Sequence, residues 1–199
     1  MNNSDLKNIF RRNKWYLSND KLIKYKISRY NIDKMIAKGK IIKIKDGLFR
    51  WKNADLDGMD DFHDIANIEP NYVFCLYTAM NFYHLTSFVS NKYYIAIPRK
   101  IWVKRGLEKY PVIIKKWQGN NYELGIDLIK LGRFTFRIYN IEKTICDCIR
   151  YRKEIGLNTL KEVLTTYFRS RKKNMSKLTL YAETLSVEKI LKEYSGMIL

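Results

Sequence analysis

The sequence predicts an α+β fold in two parts: a small helical N-terminal domain closed by a β-hairpin, then a mixed α/β domain ending in helices. Three observations carry this. Charge changes sign twice along the chain, three short runs of helical apolar spacing precede residue 40, and four β-rich segments follow residue 90. The 199 residues hold 38 Lys+Arg against 20 Asp+Glu, a formal net charge of +18. Residues 1–53 carry +11, residues 54–70 carry −6, and residues 71–199 carry +13. We therefore expect a first domain at 1–53, an acidic linker at 54–70 with one short helix around Asp60–Ala66, and a second domain at 71–199.

In the first block, Ser4 is placed to cap a helix running to about Asn13, with Leu6, Ile9 and Phe10 as its apolar stripe. Ser18 caps a second helix from Asn19 to about Tyr25. Ser28 or Asn31 starts a third, which ends at Gly39, a natural residue to follow a helix. Ile32, Met35 and Ile36 share one face of that third helix. Ile42 and Ile44 then alternate with Lys43 and Lys45, Asp46-Gly47 signals a tight turn, and Leu48–Trp51 returns.

Three short helices followed by a two-stranded hairpin is the order of a winged helix-turn-helix. Its basic charge points to duplex DNA, because an α-helix fits the major groove and a hairpin reaches phosphates or an adjacent groove. The third helix supplies Ser28, Arg29, Tyr30, Asn31, Lys34 and Lys38 as candidate recognition residues. The wing supplies Lys43, Lys45, Arg50 and Lys52 for phosphates.

The second block opens with helical spacing over Tyr72–Tyr83. The β-rich pieces are Tyr93–Ile97, Val112–Trp117, Leu128–Leu131 and Phe134–Tyr139. Asn140 then caps a helix from Ile141 to about Glu154. Its apolar stripe is Ile141, Ile145, Cys148 and Ile149, with Lys143, Arg150 and Lys153 turned elsewhere. Helices over Asn158–Arg169, Ser176–Leu185 and Val187–Tyr194 complete the chain. Arg99, Lys100, Lys104, Arg105, Lys115, Lys116, Arg133 and Arg137 form a candidate second basic surface; the same residues suit solvated strand edges, where Lys discourages aggregation.

Little here asks for catalysis. Cys146 and Cys148 fall on opposite sides of a helix and no CxxC occurs, so no metal site is expected. His84 reads as a buried hydrogen-bonding group. No phosphate-cradling Gly loop or nucleophile elbow is present, and no catalytic residue or cofactor is expected. The alternative is a nuclease or other nucleic-acid-modifying enzyme, in which Asp127, Glu142 and Asp147 would have to converge on a metal. Ion pairing to Lys143 and Arg150 accounts for Asp147, and the helix dipole for Glu142. At 46% hydrophobic the chain can build a core. It shows no secretory signal or membrane-length apolar run, and three cysteines make no disulfide framework, so the cytoplasm is the expected compartment and no membrane partner is expected.

Two segments carry a family resemblance. Cys75-Leu76-x-x-Ala79-Met80-x-x-x-His84-Leu85-Thr86 is one. The other runs from Gly125 to Ile138-Tyr139-Asn140-Ile141-Glu142-Lys143-Thr144-Ile145-Cys146-Asp147, followed by Arg150 and Gly156. With the preceding helix–hairpin order, the chain resembles the AbiEi-type antitoxins of bacterial abortive-infection, type IV toxin–antitoxin systems used in phage defence. Met80 departs from the family's usual Leu, and Tyr83 precedes His84 in a bulkier context. The resemblance implies a transcriptional repressor that binds inverted repeats in its own promoter. It also implies a second domain that counters a nucleotidyltransferase-like toxin without a stable complex. An RNA- or protein-binding neutralising module is a further reading of the basic second block.

Overall fold

The computed structural model describes residues 3–132 and 134–198. Helix α1 (Asn3–Arg12) buries Leu6 and Phe10 and runs over Ser4, which lies inside the helix and does not cap it. Strand β1 (Tyr16–Ser18) follows. Ser18 Oγ accepts from the Lys21 N–H and caps α2 (Asn19–Lys24); Ser28 Oγ accepts from the Asn31 N–H at 3.3 Å and caps α3 (Arg29–Ala37). Gly39, at φ +63, ends α3, and the Lys40 N–H donates to the Met35 carbonyl at 2.9 Å. Strands β2 (Ile41–Lys45) and β3 (Leu48–Trp51) pair antiparallel across Asp46-Gly47. Strand β1 pairs with the other edge of β3, giving the order β1-β3-β2. It was not among the expected elements, because three residues are too few for a period-2 pattern to register. Phe10, Leu17, Ile32, Ile41 and Phe49 form the core beneath this sheet.

The 54–70 segment is more than a solvated connector. Its helix α4 (Asp60–Ile68) buries Phe62, His63, Asp64, Ile65 and Ile68. The segment belongs to the first of two compact units, composed of Met1–Pro70, Trp102–Tyr110 and Lys130–Thr135. The short helix expected around Asp60–Ala66 is α4, and its Asp60 and Asp64 serve as counter-charges to Arg50.

The second unit comprises Asn71–Ile101, Pro111–Ile129 and Phe136–Leu199. A two-residue strand, β4 (Val73–Phe74), interrupts the helix expected over Tyr72–Tyr83 and leaves α5 (Leu76–Phe82). Helix α5 ends with His84 at φ +55 and the Leu85 N–H donating to the Met80 carbonyl at 2.8 Å. His84 is thus an exposed helix terminator, and the buried hydrogen-bonding role expected of it is not what it does. Strands β5 (Tyr93–Pro98) and β6 (Val112–Trp117) precede the short α6 (Asn120–Glu123), then β7 (Ile126–Leu131) and β8 (Phe134–Tyr139). The sheet order is β6-β5-β4-β8-β7, with β4 antiparallel to β5 and parallel to β8, and β5 parallel to β6. Asn140 Oδ1 accepts from the Lys143 N–H and caps α7 (Ile141–Arg150), whose continuation breaks at Tyr151 into α8 (Arg152–Ile155). Helices α9 (Leu157–Arg169), α10 (Met175–Thr184) and α11 (Glu188–Ile198) close the unit. The fold is mixed α+β, with eleven α-helices and two sheets among the described residues. No helix among them is long and apolar enough to cross a membrane.

His63 is 1% exposed, with its ring 4.0 Å from that of Phe134. Burial pushes its imidazole below its ordinary value of 6.5. The folded chain resists a proton that the unfolded chain accepts, so stability present above pH 6.5 is lost as the pH falls towards the depressed value. The urea midpoint of wild type should therefore drop relative to that of His63→Phe between pH 7 and pH 5. Parallel curves for the two proteins would contradict the assignment.

Candidate nucleic-acid interface

Helix α3 presents two faces. Ile32 and Met35 are buried, while Arg29, Tyr30, Lys34 and Lys38 are exposed, Tyr30 at 72%. The Ser28 hydroxyl is spent locally on the helix cap, where it accepts from the Asn31 backbone N–H. Arg29 Nε lies 3.3 Å from Asp33 Oδ1, one turn along, and its guanidinium stands 5.4 Å over the Phe49 ring of the hairpin. Lys34 Nζ lies 5.9 Å over the Tyr30 ring. At the hairpin turn, Lys43 Nζ is 2.5 Å from Asp46 Oδ1. The Lys43 hydrogen bond and charge, then Arg105 and Arg29, hold the Asp46 carboxyl below the usual carboxylate range.

Two expected wing residues are not available to phosphates. The Arg50 side chain is 6% exposed, its Nε 2.8 Å from Asp64 Oδ1 and its Nη1 bonded to Asp60. Lys45 Nζ donates to the Ile68 carbonyl and is half-buried. In both cases the acidic segment supplies the partner, which charge counting could not reveal. Lys43 and Lys52 remain at the surface, Lys43 engaged with Asp46.

The candidate second basic surface falls in both units. Lys104 and Arg105 belong to the first unit, with Lys104 Nζ 3.8 Å from Glu69. Arg133 lies outside the described residues. In the second unit Lys115 donates to both Glu154 oxygens at 2.7 Å, and Arg137 Nη1 donates to Asn71 Oδ1 at 3.4 Å. Lys100 is exposed. Arg99 and Lys116 line a pocket of about 200 Å³ with Trp117, Asp147, Arg150 and Tyr151.

The signature helix α7 makes the ion pair expected between Lys143 and Asp147, but makes it in the core. Lys143 is 0% exposed, not turned to solvent. Its Nζ donates to both Asp147 oxygens at 2.6 and 2.7 Å and stands 4.3 and 4.5 Å from the Tyr139 and Trp117 ring centroids. Burial nevertheless raises the Asp147 carboxyl to about 6 against the pull of Lys143. Gly125, at φ +76, touches this pair, since a Cβ there would sit 2.6 Å from Lys143 Cβ. Glu142 accepts from the Tyr167 hydroxyl at 3.2 Å and lies 3.3 Å from Lys177 Nζ. Among the described residues no three His, Cys, Asp or Glu side chains gather as metal ligands, so Asp127, Glu142 and Asp147 do not converge. Burial raises all three thiols, Cys146 to about 12, which leaves them protonated at neutral pH.

No protein-family model and no curated protein matches the sequence. Among solved structures, the chain is similar to a crystal structure of the RV2827C protein from Mycobacterium tuberculosis. The TM-score is 0.51 at 11% identity, with 92% of this chain and 75% of that chain covered. At this identity the likeness concerns the fold alone.

Removing one partner of a buried ion pair strands the other. Arg50→Ala should cost about 3–5 kcal/mol of unfolding free energy in urea titration, whereas Lys52→Ala should stay within about 0.5 kcal/mol. Lys143→Ala should be as costly as Arg50→Ala. The double change Lys143→Met with Asp147→Leu should recover most of that loss, because it leaves no uncompensated charge.

Proposed function

We propose that the first unit is a winged helix-turn-helix that binds duplex DNA through α3, and that the protein represses its own operon as the antitoxin of a type IV toxin–antitoxin pair. The observation that carries the DNA reading is the exposed face of α3. Arg29 and Tyr30 occupy its first turn, Lys34 and Lys38 follow on the solvent side, and Ile32 and Met35 anchor the opposite face. Side chains at the N-terminal end of a groove-lying helix reach base edges, and flanking cations meet phosphates. Lys43 and Lys52 of the hairpin add phosphate contacts, while Arg50 and Lys45 hold the wing in place.

The repressor-antitoxin half rests on the resemblance carried by the Cys75–Thr86 and Gly125–Asp147 segments. On this reading the operator is an inverted repeat in the promoter. The second unit counters a nucleotidyltransferase-like toxin without a stable complex, and neither enzymatic turnover nor a cofactor is required. The site of action is the cytoplasm, where the DNA is.

Duplex DNA from upstream of the gene, titrated by fluorescence anisotropy, tests the reading. Wild type should bind, with affinity falling steeply between low and physiological salt. The double variant Arg29→Ala, Lys34→Ala should lose at least about tenfold in affinity and flatten the log–log salt slope by about 2. Unchanged affinity and slope would sink the assignment of α3. Co-expression with the neighbouring toxin tests the antitoxin half separately.

A further inference from the structure

We infer that the Trp102–Gly106 loop is a second DNA-contacting element beside the hairpin, with Trp102 set against the minor groove and Arg105 against phosphate. The inference rests on the DNA reading above and adds a contact that neither helix nor wing provides. Trp102 is 84% exposed, the largest exposure among the large hydrophobic side chains described. Exposing an indole costs transfer free energy that burial elsewhere would recover. Its neighbours Lys104 and Arg105 are also exposed, which puts two cations within three residues of the ring along the chain.

The loop is fixed to the hairpin. Gly106 sits at φ +100, and a Cβ there would lie 2.7 Å from the Ile44 carbonyl oxygen, so backbone meets backbone at van der Waals distance. Three residues on, Lys109 Nζ donates to the Lys43 and Ile44 carbonyls at 2.9 and 3.0 Å. Both carbonyls belong to β2, an edge strand of the three-stranded sheet. Three residues separate Trp102 from Gly106, which keeps the Trp102 Cα within about 14 Å of the Gly106 Cα. The loop thus lies against β2 of the hairpin, and Arg29 of α3 stands over the Phe49 ring of β3 in the same hairpin.

Charge complementarity selects the occupant. An exposed aromatic with Lys104 and Arg105 beside it in the loop, pinned to a hairpin that carries Lys43 and Lys52, fits a polyanion with flat apolar faces between its charges. A helix in the major groove brings an adjoining loop to the neighbouring minor groove, where apolar wedges and cations are used together.

The test uses the full chain and the same upstream duplex. Trp102→Ala leaves the core untouched and should weaken binding about tenfold. Lys104→Ala with Arg105→Ala should lower the salt slope without loss of fold. Trp51 and Trp117 are buried and Trp15 is half-buried, so most acrylamide-quenchable fluorescence belongs to Trp102. DNA should protect that fraction, and Trp102→Ala should lack it from the start. If wild type binds DNA while the loop variants keep its affinity and Trp102 stays quenchable, this inference falls alone. If wild type binds no duplex, the DNA reading falls and takes this one with it. Protection by an acidic polypeptide but not by DNA would also overturn it.

Discussion

Asp64, 2% exposed in α4, needs partners for a carboxylate taken out of water, and that need organises the N-terminal unit. Tyr16 donates its hydroxyl to Oδ1 at 2.7 Å, Tyr110 donates to Oδ2 at 3.1 Å, and Arg50 Nε lies 2.8 Å away. The partners come from β1, from the Trp102–Tyr110 segment and from β3, so one side chain ties three separate stretches to α4. Burial raises the Asp64 carboxyl, and burial beside that carboxylate raises both phenols, which stay hydroxyl donors across the physiological range. Breaking any partner leaves the rest of the cluster desolvated and short of a bond, a costlier outcome than losing a surface pair.

The second unit meets the same difficulty within one helix. Lys143 and Asp147 are four residues apart on α7, and the aromatic walls of Trp117 and Tyr139 complete the ammonium's surroundings. Gly125 supplies its carbonyl to the Asn140 N–H at 2.8 Å and leaves room for Lys143, so the strand-to-helix corner is assembled from Gly125, Asn140, Lys143 and Asp147 together. Their geometry is that of a fold determinant: the acid and the base neutralise each other within one helix.

Features written in adjacent residues were legible in advance. Ser18, Ser28 and Asn140 cap the helices whose starts they mark, and Asp46-Gly47 turns the hairpin, because each acts on backbone groups within three residues of itself. Long-range pairing was not legible. Arg50 has the composition of a wing cation and the position of a core residue, and its counter-charge Asp64 lies in a stretch that charge counting assigns to a linker. Lys143 shows the intermediate case, since the i,i+4 partner is readable but the cage of rings around it is not. Nothing local announces that residues 102–110 will lie along β2, sixty residues earlier in the chain.

Burial also sorts the basic residues by what each can release to a ligand. Arg29 and Asp33 form an exposed pair, with side chains 57% and 58% accessible, of the kind worth about 0.3–0.5 kcal/mol. A phosphate or a guanine edge can take over Arg29 at small cost, although Asp33 then faces the same anion and favours contacts that keep it at a distance. Arg50, closed in by Asp60 and Asp64, would forfeit a buried pair to make the same move. The net +11 of the first 53 residues therefore overstates the charge on offer to a polyanion. What faces outward is narrower and better placed: the solvent side of α3, the surface lysines of the hairpin, and the loop pinned along β2.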